Sequence, residues 1–253
     1  MSTRANALTE FRTLFPGGES SLATTDPDFW AFYSDFAFGE TLSHSSLSRH
    51  DRLIYQLAAT IAIGALTEFR ALLGAGLTNG VTPVEVKELT YQAVAYVGVA
   101  RGIDFIFATN EEFESRGIAV PVAAQSTTEP ATRLTQGLAT QKRLVGDEAV
   151  DGMHANAPAD ARHFQEFLSG NCFGDYYTRS GFDLKQRELI TFALLVALGG
   201  ADNQVRGHVA MNLNAGNTRS DLLDVLTVLV PYIGYPRTLN GLAQVNDGAP
   251  ATA

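Results

Sequence analysis

Cysteine and long apolar segments are both scarce in this sequence. Cys172 is the single cysteine among 253 residues, so the chain cannot form an internal disulfide. That composition is typical of proteins in a reducing compartment. The N-terminus lacks the apolar core of a signal peptide, and no apolar run reaches the roughly 18 residues that a membrane-spanning helix needs. We therefore expect a cytoplasmic protein without a membrane partner.

Positive charge and the common ligand-binding motifs are scarce as well. The formal net charge is −9, which argues against nucleic acid as a partner. The sequence has no His-Glu-x-x-His, no Cys-x-x-Cys and no paired carboxylate motif, and no glycine-rich phosphate loop follows a strand pattern. We expect neither a metal ion nor another cofactor. An acidic substrate would have to be attracted locally, by a few placed cations.

The sequence does contain a long internal repeat. Residues 48–110 align with residues 184–246 at a constant offset of 136, without a gap. A repeat of this length is a duplicated helical unit rather than the 20–50-residue period of a solenoid. Identical pairs include Leu53/Leu189, Ile54/Ile190, Gly64/Gly200, Arg70/Arg206, Gly80/Gly216, Thr82/Thr218, Tyr96/Tyr232, Gly98/Gly234 and Arg101/Arg237. Polar residues that differ between the copies are therefore candidates for functional residues.

Each copy has a helical pattern, and no sustained period-2 alternation predicts a strand. Residues 51–63 and 186–198 are apolar nearly all round, as in buried helices. A second helix follows in each copy, with Thr67 and Asp202 as the predicted N-caps. Thr82 and Thr218 then begin a third helix with capping-box spacing, and a glycine interrupts each copy after it. The predicted fold is all-α, with two tandem helical repeats packed with pseudo-twofold symmetry.

The predicted domain organisation follows the repeat. The first unit covers residues 1–116, and the second covers residues 131–253. Residues 117–130 carry prolines, small residues and Ser/Thr, which is typical of a linker.

Several of these segments resemble the carboxymuconolactone decarboxylase family, whose superfamily includes the AhpD-like alkylhydroperoxidases. The resemblance rests on residues 68–70, 79–86 and 96–99 in copy one, and on residues 187–190, 206–208, 214–218 and 232–236 in copy two. It implies a helical fold that assembles as a ring, with a homotrimer expected for a fused two-repeat chain. The peroxidase branch uses a Cys-x-x-Cys pair, so its absence here excludes the dithiol mechanism.

Two residues are the catalytic candidates. His208 matches a histidine that the family's decarboxylases carry on this helix, and its side chain suits proton delivery. Glu68 is the complementary candidate, because copy one keeps an acid but has Leu72 at the histidine position, whereas copy two has Gln204 and keeps the histidine. This exchange predicts one asymmetric cavity that Glu68 and His208 share. Alternatively, Glu68 is a favourable first-turn acid and His208 a hydrogen-bonded structural residue.

Five further residues are candidates for substrate binding. Arg101 and Arg237 follow the glycine breaks and could hold a carboxylate, although a fold-supporting role is an equal alternative. Cys172 and Tyr176 lie in a segment that would line the cavity mouth, and a buried structural Cys172 is the alternative. Gln204 shares a helix face with His208 one turn on.

The resemblance implies a cofactor-free decarboxylase of a small carboxylic acid or lactone, similar to 4-carboxymuconolactone. Loss of CO2 would leave an extended enolate, which His208 would protonate at carbon, with Glu68 orienting it. The altered site residues keep two alternatives open. One is an isomerase or proton-transfer enzyme acting on a related acid or lactone, and the other is a non-catalytic, ring-forming stress or binding protein.

Overall fold

The computed structural model describes residues 3–251, which leaves Met1, Ser2, Thr252 and Ala253 outside the described part. The regular secondary structure of these residues consists of helices without a strand, as the sequence predicts. The α-helices are α1 (Thr3–Leu14), α2 (Leu22–Thr25), α3 (Pro27–Asp35), α4 (Thr41–Ser43), α5 (Arg49–Ile63), α6 (Leu66–Thr78), α7 (Pro83–Val97), α8 (Val99–Ser115), α9 (Arg133–Val145), α10 (Asp147–Ala155), α11 (Arg162–Phe167), α12 (Leu184–Leu198), α13 (Asp202–Ala215) and α14 (Arg219–Gly248). Two π-helices, π1 (Phe36–Glu40) and π2 (Leu168–Tyr177), precede the repeats.

The helices reproduce the sequence repeat element by element. Helix α5 corresponds to α12, α6 to α13, and α7 with α8 to the long kinked helix α14. The break between α7 and α8 lies at Gly98 (φ 77°, ψ 156°), and the kink in α14 lies at Gly234 (φ 77°, ψ 167°). A side chain would be strained at this positive φ, which explains why both copies keep glycine there. The predicted tandem architecture is confirmed.

Capping interactions fix where the third helix of each copy begins. The Thr82 side chain accepts from the Glu85 backbone N–H, and the Glu85 carboxylate accepts from the Thr82 N–H. Thr218 and Asp221 form the same reciprocal pair at the start of α14. Each pair satisfies two backbone donors that a helix start would otherwise leave unpaired.

The predicted N-caps of the second helices are wrong by one or two residues. Helix α6 begins at Leu66 with Ala65 at its N-cap, so Thr67 lies inside the helix. Helix α13 begins at Asp202 itself, with Ala201 at the N-cap. Because Thr and Asp also suit the first turn of a helix, residue type alone does not separate the two positions.

The two central helices, α5 and α12, pack against each other and form the middle of the core. Eleven consecutive residues of each, 52–62 and 187–197, are buried. Each buried stretch begins with an arginine, Arg52 or Arg187. At the repeat offset, however, Arg52 corresponds to Glu188, so this buried position differs in charge between the copies. No helix in the described part of the chain is long and apolar enough to cross a membrane.

Helix π2 lies close against α9, and two glycines permit this contact. A Cβ atom at Gly137 would stand 1.9 Å from the carbonyl oxygen of Ser169, and a Cβ at Gly174 would stand 2.2 Å from the carbonyl oxygen of Arg133. Neither side chain would fit without moving backbone. The close approach holds π2 in place and so positions the side chains that π2 presents to α12.

Candidate active site

The centre of the candidate site is a pair formed by His208 and Glu188. Helix α12 contributes Glu188, which is fully buried, and α13 contributes His208, whose side chain is 15% exposed. The Nδ1 atom of His208 lies 2.8 Å from Oε2 of Glu188. The Nδ1–H can donate to this carboxylate, which orients the ring. Among the described residues, the Nε2 atom of His208 has no hydrogen-bond partner.

A chain of hydroxyl groups from three elements completes the environment of Glu188. The Tyr177 hydroxyl, on π2, donates to Glu188 Oε1 at 2.7 Å. The Tyr96 hydroxyl, on α7, lies 3.0 Å from that of Tyr177, and Thr191 on α12 donates to Tyr96 at 2.9 Å. Gln92 in turn donates to Thr191 at 3.0 Å. Each group can accept from one neighbour and donate to the next. The chain ends at the buried Glu188 carboxylate, which it stabilises and holds in place.

Cys172 and Tyr96 lie at the more open side of this cluster. The Tyr96 ring stands edge-on to the His208 ring, with 6.1 Å between the centroids. The Cys172 thiol lies near the Tyr96 hydroxyl. Burial raises the pKa of Cys172 to about 12, so the group is a protonated thiol at neutral pH. Burial likewise raises the pKa values of Tyr96 and Tyr177 well above 10, which keeps both hydroxyls available as donors.

Glu68 belongs to a different cluster, built around copy one. The side chains that interact with it electrostatically are Tyr33 and Tyr232, which also interact with each other. Burial raises the pKa of Glu68, and burial with the nearby Glu68 charge raises the pKa of Tyr33 to about 12. The structure thus groups Glu68 with Tyr33 and Tyr232, and His208 with Glu188 and Tyr96. No hydrogen bond, ion pair or ring contact joins Glu68 to His208 within the described part of one chain. The shared cavity stays a prediction, and it could equally form between subunits.

The two clusters occupy equivalent places in the repeat but differ in charge. At the offset of 136, Tyr232 corresponds to Tyr96, while Arg52 stands where copy two has Glu188. Arg52 is paired with Glu10 from α1, at 2.5 Å between Nη2 and Oε1. With Leu72 at the histidine position as well, copy one lacks both members of the His–Glu pair.

Arg101 and Arg237 make fold-supporting contacts at the ends of the central helices. The Arg101 guanidinium donates to the backbone carbonyl of Ala62, near the C-terminus of α5. The Arg237 side chain lies against Gly199, directly after α12. Cations at these carbonyl-rich helix ends are favourable, which accounts for the repeated arginine without a ligand. Neither residue contacts His208 or Glu188 through any hydrogen bond or ion pair in the described structure.

The remaining predicted binding residues flank the site. Gln204 is exposed on α13 one turn before His208. Tyr176 is half-buried beside Cys172 on π2, and burial raises its pKa. Within residues 3–251, no group of three or more His, Cys, Asp or Glu side chains is arranged to hold a metal ion.

Glu188, the partner of His208, carries no role in the sequence-based prediction. Its repeat counterpart is Arg52, so comparison of the copies did not single it out as a retained acid. One signal was available in the sequence: Glu188 directly precedes an apolar run, which predicts that the carboxylate is buried. Because buried acids are rare unless they are paired, Glu188 could have been expected to have a partner. The pairing itself depends on how α12 packs against α13, which the sequence pattern does not specify.

Comparison with known proteins agrees with this architecture. The 4-carboxymuconolactone decarboxylase of Acinetobacter baylyi (strain ATCC 33305 / BD413 / ADP1) is 38% identical over 92 residues, which cover 36% of this chain and 69% of the relative. The nitrosuccinic acid decarboxylase npaB of Metarhizium robertsii (strain ARSEF 23 / ATCC MYA-3075) is 26% identical over 107 residues, covering 42% of this chain and 74% of the relative.

Structural comparison extends over nearly the whole chain. A crystal structure from Burkholderia xenovorans LB400, described as a gamma-carboxymuconolactone decarboxylase subunit, superimposes with a TM-score of 0.57 and covers 95% of both chains. At 19% identity, this similarity supports the fold alone. The sequence model of the carboxymuconolactone decarboxylase family matches residues 27–111 and again residues 162–247, one match in each half of the chain. The protein therefore belongs to the carboxymuconolactone decarboxylase family, in a tandem two-repeat form.

Proposed function

We propose that this protein is a decarboxylase that removes CO2 from a carboxylated unsaturated lactone similar to 4-carboxymuconolactone, with His208 as its proton-transfer residue. The observation that carries the proposal is the His208–Glu188 pair: one ring nitrogen is held at 2.8 Å by a buried carboxylate, and the other has no protein partner within the described residues. That arrangement is suited to delivering a proton to a substrate. The decarboxylases among its relatives support the reaction class.

The proposed reaction begins with cleavage of the bond between the substrate carboxylate and its ring carbon. CO2 leaves, and the electron pair moves into the conjugated lactone carbonyl as an extended enolate. The Tyr96 ring stands edge-on to His208, and its hydroxyl would turn from Tyr177 to donate to the developing oxyanion. The Nε2–H of the His208 imidazolium then protonates carbon, and the ring regains a proton from solvent. Glu188 holds the ring in place for this step through its contact with Nδ1.

The buried groups behind Glu188 serve to orient rather than to react. Tyr177 occupies the Glu188 oxygen that His208 does not use, and Thr191 with Gln92 fixes the Tyr hydroxyls. Cys172 contributes a neutral, polarizable wall at neutral pH, because its pKa is raised to about 12. We expect the chain to form a homotrimer. In that assembly, the side of the site that carries Cys172 and Tyr96 would face either a neighbouring subunit or solvent.

The test is decarboxylation of 4-carboxymuconolactone by the purified chain, followed by loss of substrate absorbance and by CO2 release. We expect His208→Ala and Glu188→Gln each to lower kcat by roughly 10²–10⁴-fold, the range for acid–base groups. The matched control is Glu68→Gln, which should retain activity within about tenfold because Glu68 lies in the other cluster.

Two results would contradict the assignment. A near-wild-type rate in His208→Ala would remove the central residue from the mechanism. A loss in Glu68→Gln as large as that in Glu188→Gln would restore the pairing predicted from the repeat. Deuterium exchange into the substrate without CO2 release would instead identify a proton-transfer enzyme that uses the same histidine.

A further inference from the structure

A separate cavity lies between α7, α8 and the segment that follows α8. Its volume is about 510 Å³, within the roughly 300–1,000 Å³ range of small-molecule sites. It is lined by Lys87, Glu88, Tyr91, Ile106, Asn110, Arg179 and the backbone and side chains of residues 120–124. None of the residues of the His208 cluster lines it, so it is a second candidate site rather than part of the first.

The charges around this cavity do not balance. Glu88 is shared by two arginines, with Arg179 at 2.8 Å and the fully buried Arg187 at 3.0 Å. Lys87 is 4% exposed, and no carboxylate pairs with it in the described structure. Three cations and one carboxylate leave a surplus of two positive charges in a chain whose net charge is −9. Burial of an unpaired charge is costly unless a counter-charge arrives.

Lys87 is held towards the cavity by uncharged groups only. Its Nζ donates to the side-chain oxygen of Asn110 and lies 5.5 Å from the ring centroid of Phe113 and 6.0 Å from that of Tyr91. Burial lowers the pKa of Lys87. These contacts orient the ammonium group without neutralising it, so the ligand that completes this environment is an anion.

The other side chains that line the cavity indicate the shape and polarity of the rest of the ligand. The Arg179 guanidinium lies 5.4 Å from the centroid of the Tyr91 ring. Ile106, Val120 and Val122 provide apolar surface on the other sides. We propose that this cavity binds a small organic carboxylate with a flat apolar body, whose carboxylate pairs with Lys87 and whose body lies among Tyr91 and the aliphatic side chains.

The experiment is calorimetric titration of the full-length protein with benzoate. Benzamide serves as the uncharged probe of the same shape. We expect benzoate to bind saturably with a dissociation constant below about 10 mM and to raise the unfolding temperature, and benzamide to bind at least tenfold more weakly. Lys87→Met, which keeps an apolar stem against Phe113, should weaken benzoate binding at least tenfold. Lys142→Met, on the surface beside Asp151, is the matched control and should bind benzoate as the wild type does.

A second variant keeps the test decisive if Lys87→Met does not fold. Ala123 is exposed and lines the cavity, so Ala123→Trp should obstruct benzoate without disturbing the core. Failure of the wild type to bind benzoate, equal binding of benzamide, or unchanged binding in both Lys87→Met and Ala123→Trp would overturn the proposal. It would also be overturned if His208→Ala, and not Lys87→Met, abolished binding, since benzoate would then occupy the candidate active site.

Discussion

Replacing Glu88 with glutamine should destabilise the fold strongly, because two arginines depend on one buried carboxylate. Glu88 is 1% exposed, and its oxygens lie 2.8 Å from Arg179 and 3.0 Å from Arg187. Removing one partner of a buried ion pair typically costs about 3–5 kcal/mol. Arg187 keeps its bonds to the Gln92 side chain (2.9 Å) and the Arg179 carbonyl (2.7 Å), so we expect the lower end, about 3 kcal/mol.

Urea unfolding followed by far-ultraviolet circular dichroism at fixed protein concentration measures this cost. The matched control is Glu111→Gln, which breaks the Arg70–Glu111 pair, also short at 2.5 Å but 45% and 61% exposed. Exposed pairs contribute about 0–1 kcal/mol, so the two variants separate burial from geometry. The double variant Glu88→Gln with Arg187→Met should cost less than the sum of the single changes, because residues in contact are non-additive.

The reasoning fails if Glu88→Gln costs less than about 1 kcal/mol, or no more than Glu111→Gln. Either outcome would mean that water or a rearranged Arg179 compensates the charge on Arg187. The cavity beside this pair would then be far less cationic under native conditions, and the case for an anionic ligand would weaken with it.

Three further predictions concern single positions. The pKa of Glu10 is lowered to about 2, chiefly by its hydrogen bond to Arg49. Its stabilisation is therefore present above pH 4.5 and lost as pH falls towards 2. In urea unfolding, Glu10→Gln should cost about 1–2 kcal/mol at pH 7, a value discounted for solvent screening, and clearly less at pH 3; equal costs at both pH values would refute the linkage. Native Cys172, with its pKa raised to about 12, should react with iodoacetamide at pH 8 at least a hundredfold more slowly than the urea-unfolded chain, as measured by mass spectrometry; comparable rates would show an accessible thiolate. Gly137→Ala should destabilise by about 3 kcal/mol, because its Cβ would overlap the backbone of π2, whereas Gly152→Ala, whose Cβ would meet only the Asn156 amide nitrogen at 3.9 Å, should be neutral or slightly stabilising; similar unfolding midpoints would mean that α9 and π2 separate easily.

The helical architecture could be predicted because its determinants are local or repeated. Gly98 and Gly234 recur at the repeat offset with nearly the same backbone angles, and both capping boxes consist of residues three apart. The repeat also identifies the two equivalent apolar helices, α5 and α12. These two helices pack together at the centre of the fold. These features need no knowledge of how one helix lies against another.

The candidate site could be predicted only in part, because it depends on contacts between elements. His208 was identified from its family position, but its partner Glu188 lies 20 residues earlier on another helix. Tyr177 reaches Glu188 from π2, whose irregular helical turns give no simple periodicity. The predicted partner, Glu68, was inferred from exchange between the copies. In the structure, the side chains around the equivalent position of copy one differ as a group from those of copy two. Arg52, for example, stands where copy two has Glu188.

The two repeats of one chain carry different polar clusters, and this difference predicts how many active sites each chain has. Among the described residues, each 27.1 kDa chain pairs a histidine with a fully buried glutamate at His208 and Glu188, in copy two, and copy one has Leu72 and Arg52 at the equivalent positions. If the proposed site is the active one and the chain forms the expected trimer, the trimer has three active sites among six homologous positions. Stoichiometric titration with a tight inhibitor should then saturate at one equivalent per chain. Copy one keeps the apolar positions that pack the core, and its polar cluster contains Arg52 paired with Glu10 instead of the His208–Glu188 pair.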